Sequence, residues 1–141
     1  MSIAVTVPSR PAQPDQSSRH DMPDPLCGAR VFVAEDEPML LWALETVLGD
    51  LGCHLAGSAT TVAGALTFVA AESFDVAILD RTLTDGAIDP VVRALLARGT
   101  PVVIASGAPE DESRAKYPGV GVLRKPFKED DLRRALRTAL G

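Results

Sequence analysis

From Arg30 onward, short apolar runs alternate with longer stretches whose apolar residues recur every three or four positions. Val31-Phe32-Val33-Ala34 runs into Glu35-Asp36, and Val76-Ala77-Ile78-Leu79 runs into Asp80. Val102-Val103-Ile104-Ala105 runs into Ser106, and Val120-Gly121-Val122-Leu123 leads to Lys125-Pro126-Phe127. Short apolar runs ahead of polar turns read as buried strands. Strands are therefore predicted over 30–35, 74–79, 101–105 and 119–123, with a weaker one over 53–58. Pro38 opens a first helix that reaches about Leu51 and closes at Gly52. Its inward face is Leu40, Leu41, Leu44, Val47, Leu48 and Leu51. Thr60 or Thr61 caps a second helix with Ala65, Leu66, Val69 and Ala70 inward. A Thr/Asp/Gly loop over 82–86 leads to a third helix, Pro90 to Arg98, which Gly99 ends. The last helix spans Lys128 to Leu140. Residues 107–118 carry Gly107, Pro109, Pro118 and many charges but few apolar anchors. A short or mobile fourth helix is expected there.

Five strand–helix pairs in alternation imply an α/β fold, a parallel sheet with helices on both faces. Ligands of such sheets bind outside the carboxyl ends of the strands. Two acids, an isolated aspartate, a hydroxyl and an ammonium would then converge on one rim.

The 141 residues suffice for one domain, and 46% hydrophobic content predicts a buried core. Residues 1–26 differ. Pro8, Pro11, Pro14, Pro23 and Pro25 fall there among Ser, Gln and Asp. Such a segment buries too little apolar surface to order itself, so it reads as a disordered tail, with 27–141 as the domain. His20 in that tail reads as solvated, and Met22 is a candidate alternative start. A net charge of −5 without a dense Lys/Arg cluster argues against a nucleic-acid partner. No apolar run approaches membrane-spanning length, and the Ile3-Ala4-Val5 patch is too short for a signal segment. Cys27 and Cys53 lack a metal-ligand spacing and read as reduced thiols of a cytoplasmic protein.

The rim suits phosphoryl transfer. The Asp80 carboxylate can attack phosphorus and form an acyl phosphate. Asp36, with Glu35 beside it, can hold Mg²⁺. Lys125 can contact phosphate oxygens as a point charge, and the Ser106 hydroxyl can hydrogen-bond another. Each residue also has a plain structural reading. Asp80 could cap a helix or form a turn, and Glu35-Asp36-Glu37 could complement a helix dipole. Ser106-Gly107 could be turn chemistry, and Lys125 a surface lysine. The four together, in this order, favour the chemical reading.

On Glu35-Asp36, Ile78-Leu79-Asp80, Ser106 and Lys125-Pro126-Phe127, the chain resembles a response-regulator receiver domain of two-component signalling. The resemblance covers roughly 28–141, with the acid pair 44 positions before the aspartate. It implies a flavodoxin-like, doubly wound, five-stranded parallel sheet of order 2-1-3-4-5. It implies that Asp80 accepts a phosphoryl group from a histidine kinase or histidine phosphotransfer protein. Asp36 and Asp80 would ligate Mg²⁺, Glu35 would act through water, and the Thr82 backbone carbonyl would be a further ligand. A cis bond is implied at Lys125-Pro126. A narrower resemblance is to stand-alone receivers with a Phe-Ala-Thr-Gly-Tyr motif after strand four, where this chain reads Ile104-Ala105-Ser106-Gly107-Ala108. That subgroup lacks a regular fourth helix.

Two departures bear on signalling. Ser106 stands where threonine is commoner, and Val122 stands where many receivers carry an aromatic switch residue. Reporting is therefore expected through reordering of 107–118. Thr82 and Ala108 would flank the site and tune dephosphorylation. Trp42 lies off the first helix's core face and is a candidate kinase-docking residue. With no output domain after Gly141, the chain reads as a stand-alone regulator. It would act by binding an unidentified downstream protein or as a phosphate sink, and not as an enzyme in its own right. Two other functions compete. Asp80-Arg81-Thr82-Leu83-Thr84 resembles the first motif of haloacid-dehalogenase-type phosphatases, but Thr82 stands where those need an aspartate. A receiver fold kept as an unphosphorylated scaffold is the other.

Overall fold

The computed structural model describes residues 24–141; the expected tail with His20 and Met22 lies, up to residue 23, outside the described residues. Leu26, which the proline pattern places in that tail, is 1% exposed and packs in the core. Asp24 ties the segment down: its carboxylate accepts from Leu26 N–H and from Arg137, both at 3.0 Å.

The elements follow the alternation. They are β1 (Arg30–Ala34), α1 (Pro38–Asp50), β2 (His54–Ala59), α2 (Val62–Ala71), β3 (Val76–Asp80), β4 (Thr82–Leu83), β5 (Gly86–Ala87), α3 (Asp89–Ala97), β6 (Val102–Ser106), α4 (Glu110–Lys116), β7 (Gly121–Arg124) and α5 (Glu129–Leu140). The main sheet is parallel, in the order β2-β1-β3-β6-β7. This is the doubly wound order 2-1-3-4-5 of the main strands.

Alternation along the strands splits the core in two. Phe32, Ala77, Leu79 and Ile104 pack with α2 and α3, whereas Val31, Val33, Ile78, Val103 and Leu123 pack with α1 and α5. The central strands are buried on both faces, which explains their continuous apolar runs. α1 presents Leu44 and Leu48 to the core, with Leu40, Leu41, Val47 and Leu51 packed alongside.

Two local features differ from the sequence expectation, in α2 and in the 82–86 loop, and one, the fourth helix, meets it. α2 buries Val62, Ala65 and Val69, while Leu66 is 36% exposed and Ala70 also faces outward. Its sequence, Val-Ala-Gly-Ala-Leu-Thr-Phe-Val-Ala-Ala, has no polar stripe, so periodicity does not select a face. Phe68 does: its ring stacks on Phe32 at 4.6 Å and lies over Gly57, where any Cβ would overlap it. The 82–86 loop is a hairpin, with Thr82 opposite Ala87 and Leu83 opposite Gly86. Leu83 and the following Ile88 root it in the core. The fourth helix is present but short, seven residues of which Ser113 alone is buried.

Candidate functional site

Strand register assembles the rim. Ala34 pairs with Leu79, which brings Glu35-Asp36 beside Asp80. Asp80 pairs with Ala105, and Ser106 with Arg124. The Glu35 N–H donates to Ala59 O at 3.0 Å, and the Lys125 N–H to Ser106 O at 2.8 Å. The Lys125-Pro126 peptide is cis.

Glu35, Asp36 and Asp80 each present a carboxylate oxygen, and these oxygens lie within 4.8 Å of one another. Lys125 Nζ lies 3.2 Å from Glu35 Oε1 and 3.3 Å from Asp80 Oδ2. Glu35 is 2% exposed, and the side chain of Asp80 is 15% exposed. The phosphoacceptor candidate is thus held yet open to solvent. Burial pushes the Glu35 carboxyl upward; the Glu37 N–H opposes this, the Asp80 charge adds to it, and Lys125 opposes it. Burial alone would weaken the Lys125 ammonium, but Asp80 and Glu35 reverse that and hold its pKa above the usual lysine value. Close-set carboxylates of this kind form a hard oxygen-donor set, which fits Mg²⁺.

The other expected residues stand at the edge of this cluster. Ser106 is buried, and its hydroxyl accepts from Ala108 N–H at 3.0 Å, so it is engaged with its own loop. Thr82 is exposed on β4. Val122 is partly buried in β7.

Residues not singled out by sequence complete the surroundings. Thr84 Oγ1 donates to Asp36 Oδ2 at 3.2 Å. Arg81, next to Asp80, pairs with Glu112 of α4 at 3.1 Å. Tyr117 donates its hydroxyl to Asp89 Oδ1 at 2.7 Å, and Lys116 Nζ lies 3.7 Å from Asp89 Oδ2. Burial and the Asp89 carboxylate push the Tyr117 phenol up to about 12. The Thr84-Asp85-Gly86 triplet signalled a turn, but nothing local tells which site a turn folds over.

Beside the rim, an apolar groove of about 370 Å³ runs between α1 and the segment after β7. Leu40, Leu44, Val47 and Phe127 line it. Met39 and Trp42 of α1 are 73% and 65% exposed. No helix among the described residues is long and apolar enough to cross a membrane.

The model of the response regulator receiver domain matches residues 31–137. No curated protein matches the chain. Among solved structures, SdrG from Sphingomonas melonis Fr1 is 37% identical over 81% of this chain and 98% of its own, with a TM-score of 0.71. The PhyR receiver domain of Erythrobacter litoralis is 30% identical over 82% and 92%, with a TM-score of 0.71. The response regulator PhyR from Brucella abortus is 25% identical over 83% of this chain, with a TM-score of 0.73. The chain spans half the length of that PhyR.

Proposed function

The chain belongs to the response regulator receiver domain family, and from that premise we propose that Asp80 accepts a phosphoryl group from a histidine kinase or histidine phosphotransfer protein. The observation that carries this reading is the Asp80 carboxylate itself, partly exposed at a strand end between the Lys125 ammonium and the Glu35-Asp36 pair. A carboxylate oxygen of Asp80 attacks phosphorus, the P–N bond of the phosphohistidine breaks, and the imidazole leaves with a proton. Lys125, already held on Asp80, meets the charge of the incoming phosphoryl oxygens. The Ser106 hydroxyl would exchange its contact with Ala108 N–H for a phosphoryl oxygen. Asp36 and Asp80 would hold Mg²⁺, with Glu35 acting through water and the Thr82 carbonyl as a further ligand. When bound, the ion neutralises phosphoryl charge. The chain is a phosphoacceptor on this reading, and phosphohistidine donors place it in the cytoplasm.

Support comes from two further features. SdrG, similar over most of this chain, has a BeF₃-activated conformation. The groove between α1 and the segment after β7 gives a phosphodonor an apolar surface beside the rim, and the exposed Trp42 offers a separate apolar contact on α1. The output runs through 107–118, which binds a downstream protein once Arg81 and Ser106 meet the new charge and α4 shifts. Residues 27–141, extended by Leu26, form the receiver unit.

The test is incubation with a small phosphodonor and Mg²⁺, followed by mass measurement of the intact protein. Wild type is expected to gain one phosphoryl group, and Asp80→Ala none. Steady turnover of a generic phosphate ester would point to a phosphatase instead.

A further inference from the structure

The β4–β5 hairpin makes two contacts that phosphoacceptance does not itself use. Its tip is Thr84-Asp85, and the two side chains grip different elements. Thr84 Oγ1 donates to Asp36 Oδ2 at 3.2 Å. The Asp85 carboxylate accepts the N–H groups of Val62 and Ala63, the first residues of α2, at 2.6 and 3.1 Å. Thr61 takes the next N–H, from Gly64, at 3.0 Å. A carboxylate here satisfies helix donors that otherwise lack partners and complements the helix dipole. The circuit closes through β2, whose last residue, Ala59, accepts the N–H of Glu35 at 3.0 Å. The hairpin tip is therefore pinned between α2 and the acid pair.

The acid pair needs such a hold. Three carboxylates this close repel one another. Lys125 offsets Glu35 and Asp80 through direct contacts. Among the described residues, the side-chain donor on Asp36 is the Thr84 hydroxyl. A carboxylate oriented by an outer donor binds a cation with less reorganisation.

We propose that Asp85 is a positioning residue for the divalent-cation site: by clasping the hairpin to α2 it keeps the Thr84 hydroxyl on Asp36 and holds that carboxylate toward Glu35 and Asp80. The inference rests on the reading of these three carboxylates as a Mg²⁺ site.

Calorimetric titration of Mg²⁺ into the full chain tests it, with melting in EDTA recorded for each variant. Asp85→Ala and Thr84→Val are each expected to weaken Mg²⁺ affinity about tenfold. Thr84→Ser retains the hydroxyl and should keep wild-type affinity. The double variant should be no more than about twofold weaker than either single one, since both break one path. Melting in EDTA should fall for Asp85→Ala, which loses a helix cap, and stay unchanged for Thr84→Val. Should Asp85→Ala not fold, the Thr84 pair decides. Wild-type affinity in Thr84→Val, tighter binding, or fully additive losses would each overturn the clasp. Binding by wild type with unaltered variants overturns the clasp alone. Wild type that binds no Mg²⁺ overturns the cation site with it.

Discussion

Ser113 is fully buried on α4, and its hydroxyl has no hydrogen-bond partner among the described residues. An unpaired buried hydroxyl costs about 1–3 kcal/mol. Ser113→Ala should therefore stabilise the protein by about 1 kcal/mol, read as a higher urea midpoint with unchanged slope; an unchanged or lower midpoint would show that the hydroxyl finds a partner in solution. The same scale shows what a sequence can and cannot disclose. Asp36, Asp80, Ser106 and Lys125 are legible because each follows an apolar run, and strand ends share a rim in a parallel sheet. Thr84 and Asp85 are not. Their partners lie 48 and 23 positions away, and only the folded path of the hairpin brings them together. Arg81 is hidden for the same reason, since Glu112 lies 31 positions on.

The elements differ in how they are seated. α5 buries Leu132 and Leu136 at helical spacing, and α1 buries Leu44 and Leu48 likewise. Both faces could be read from periodicity, whereas the inward face of α2 was set by Phe68 against Gly57 and could not. α4 has no apolar stripe, which is why composition foresaw its shortness. It is held instead from its ends, by Arg81 on Glu112 and by Tyr117 and Lys116 on Asp89. The phenol's pKa is raised from 10.0 to about 12 by burial and then by Asp89. The folded state thus keeps a proton that the unfolded chain gives up first. This contribution is complete below pH 10 and is lost as pH rises toward about 12. Tyr117→Phe should abolish that part of the alkaline loss, measured as the difference between the two stability–pH curves. Parallel curves through this window would refute the assignment. The Asp89 carboxyl is held low, chiefly by the Tyr117 hydroxyl. Its contribution is present above the ordinary aspartate range and is lost on acidification.

Taken whole, the molecule has two apolar cores on opposite faces of one sheet and a charged rim across the strand ends. That the sheet is parallel was readable because each crossover needs a helix and the central strands bury both faces, whereas the order of its strands came only with the family resemblance. The attachment of α4 was not readable, because ion pairs leave no periodic trace in a sequence. That attachment has a consequence for the medium around the protein. At about 1 M ionic strength the screening length falls to about 3 Å, so solvent-facing pairs such as Arg81–Glu112 weaken while apolar burial does not. Adding NaCl should raise amide exchange across 110–117 and leave α3 and α5 protected. Uniform exchange across all three helices would contradict it. Electrolyte concentration then becomes a control that loosens one helix and spares the rest of the fold, with no change to the chain.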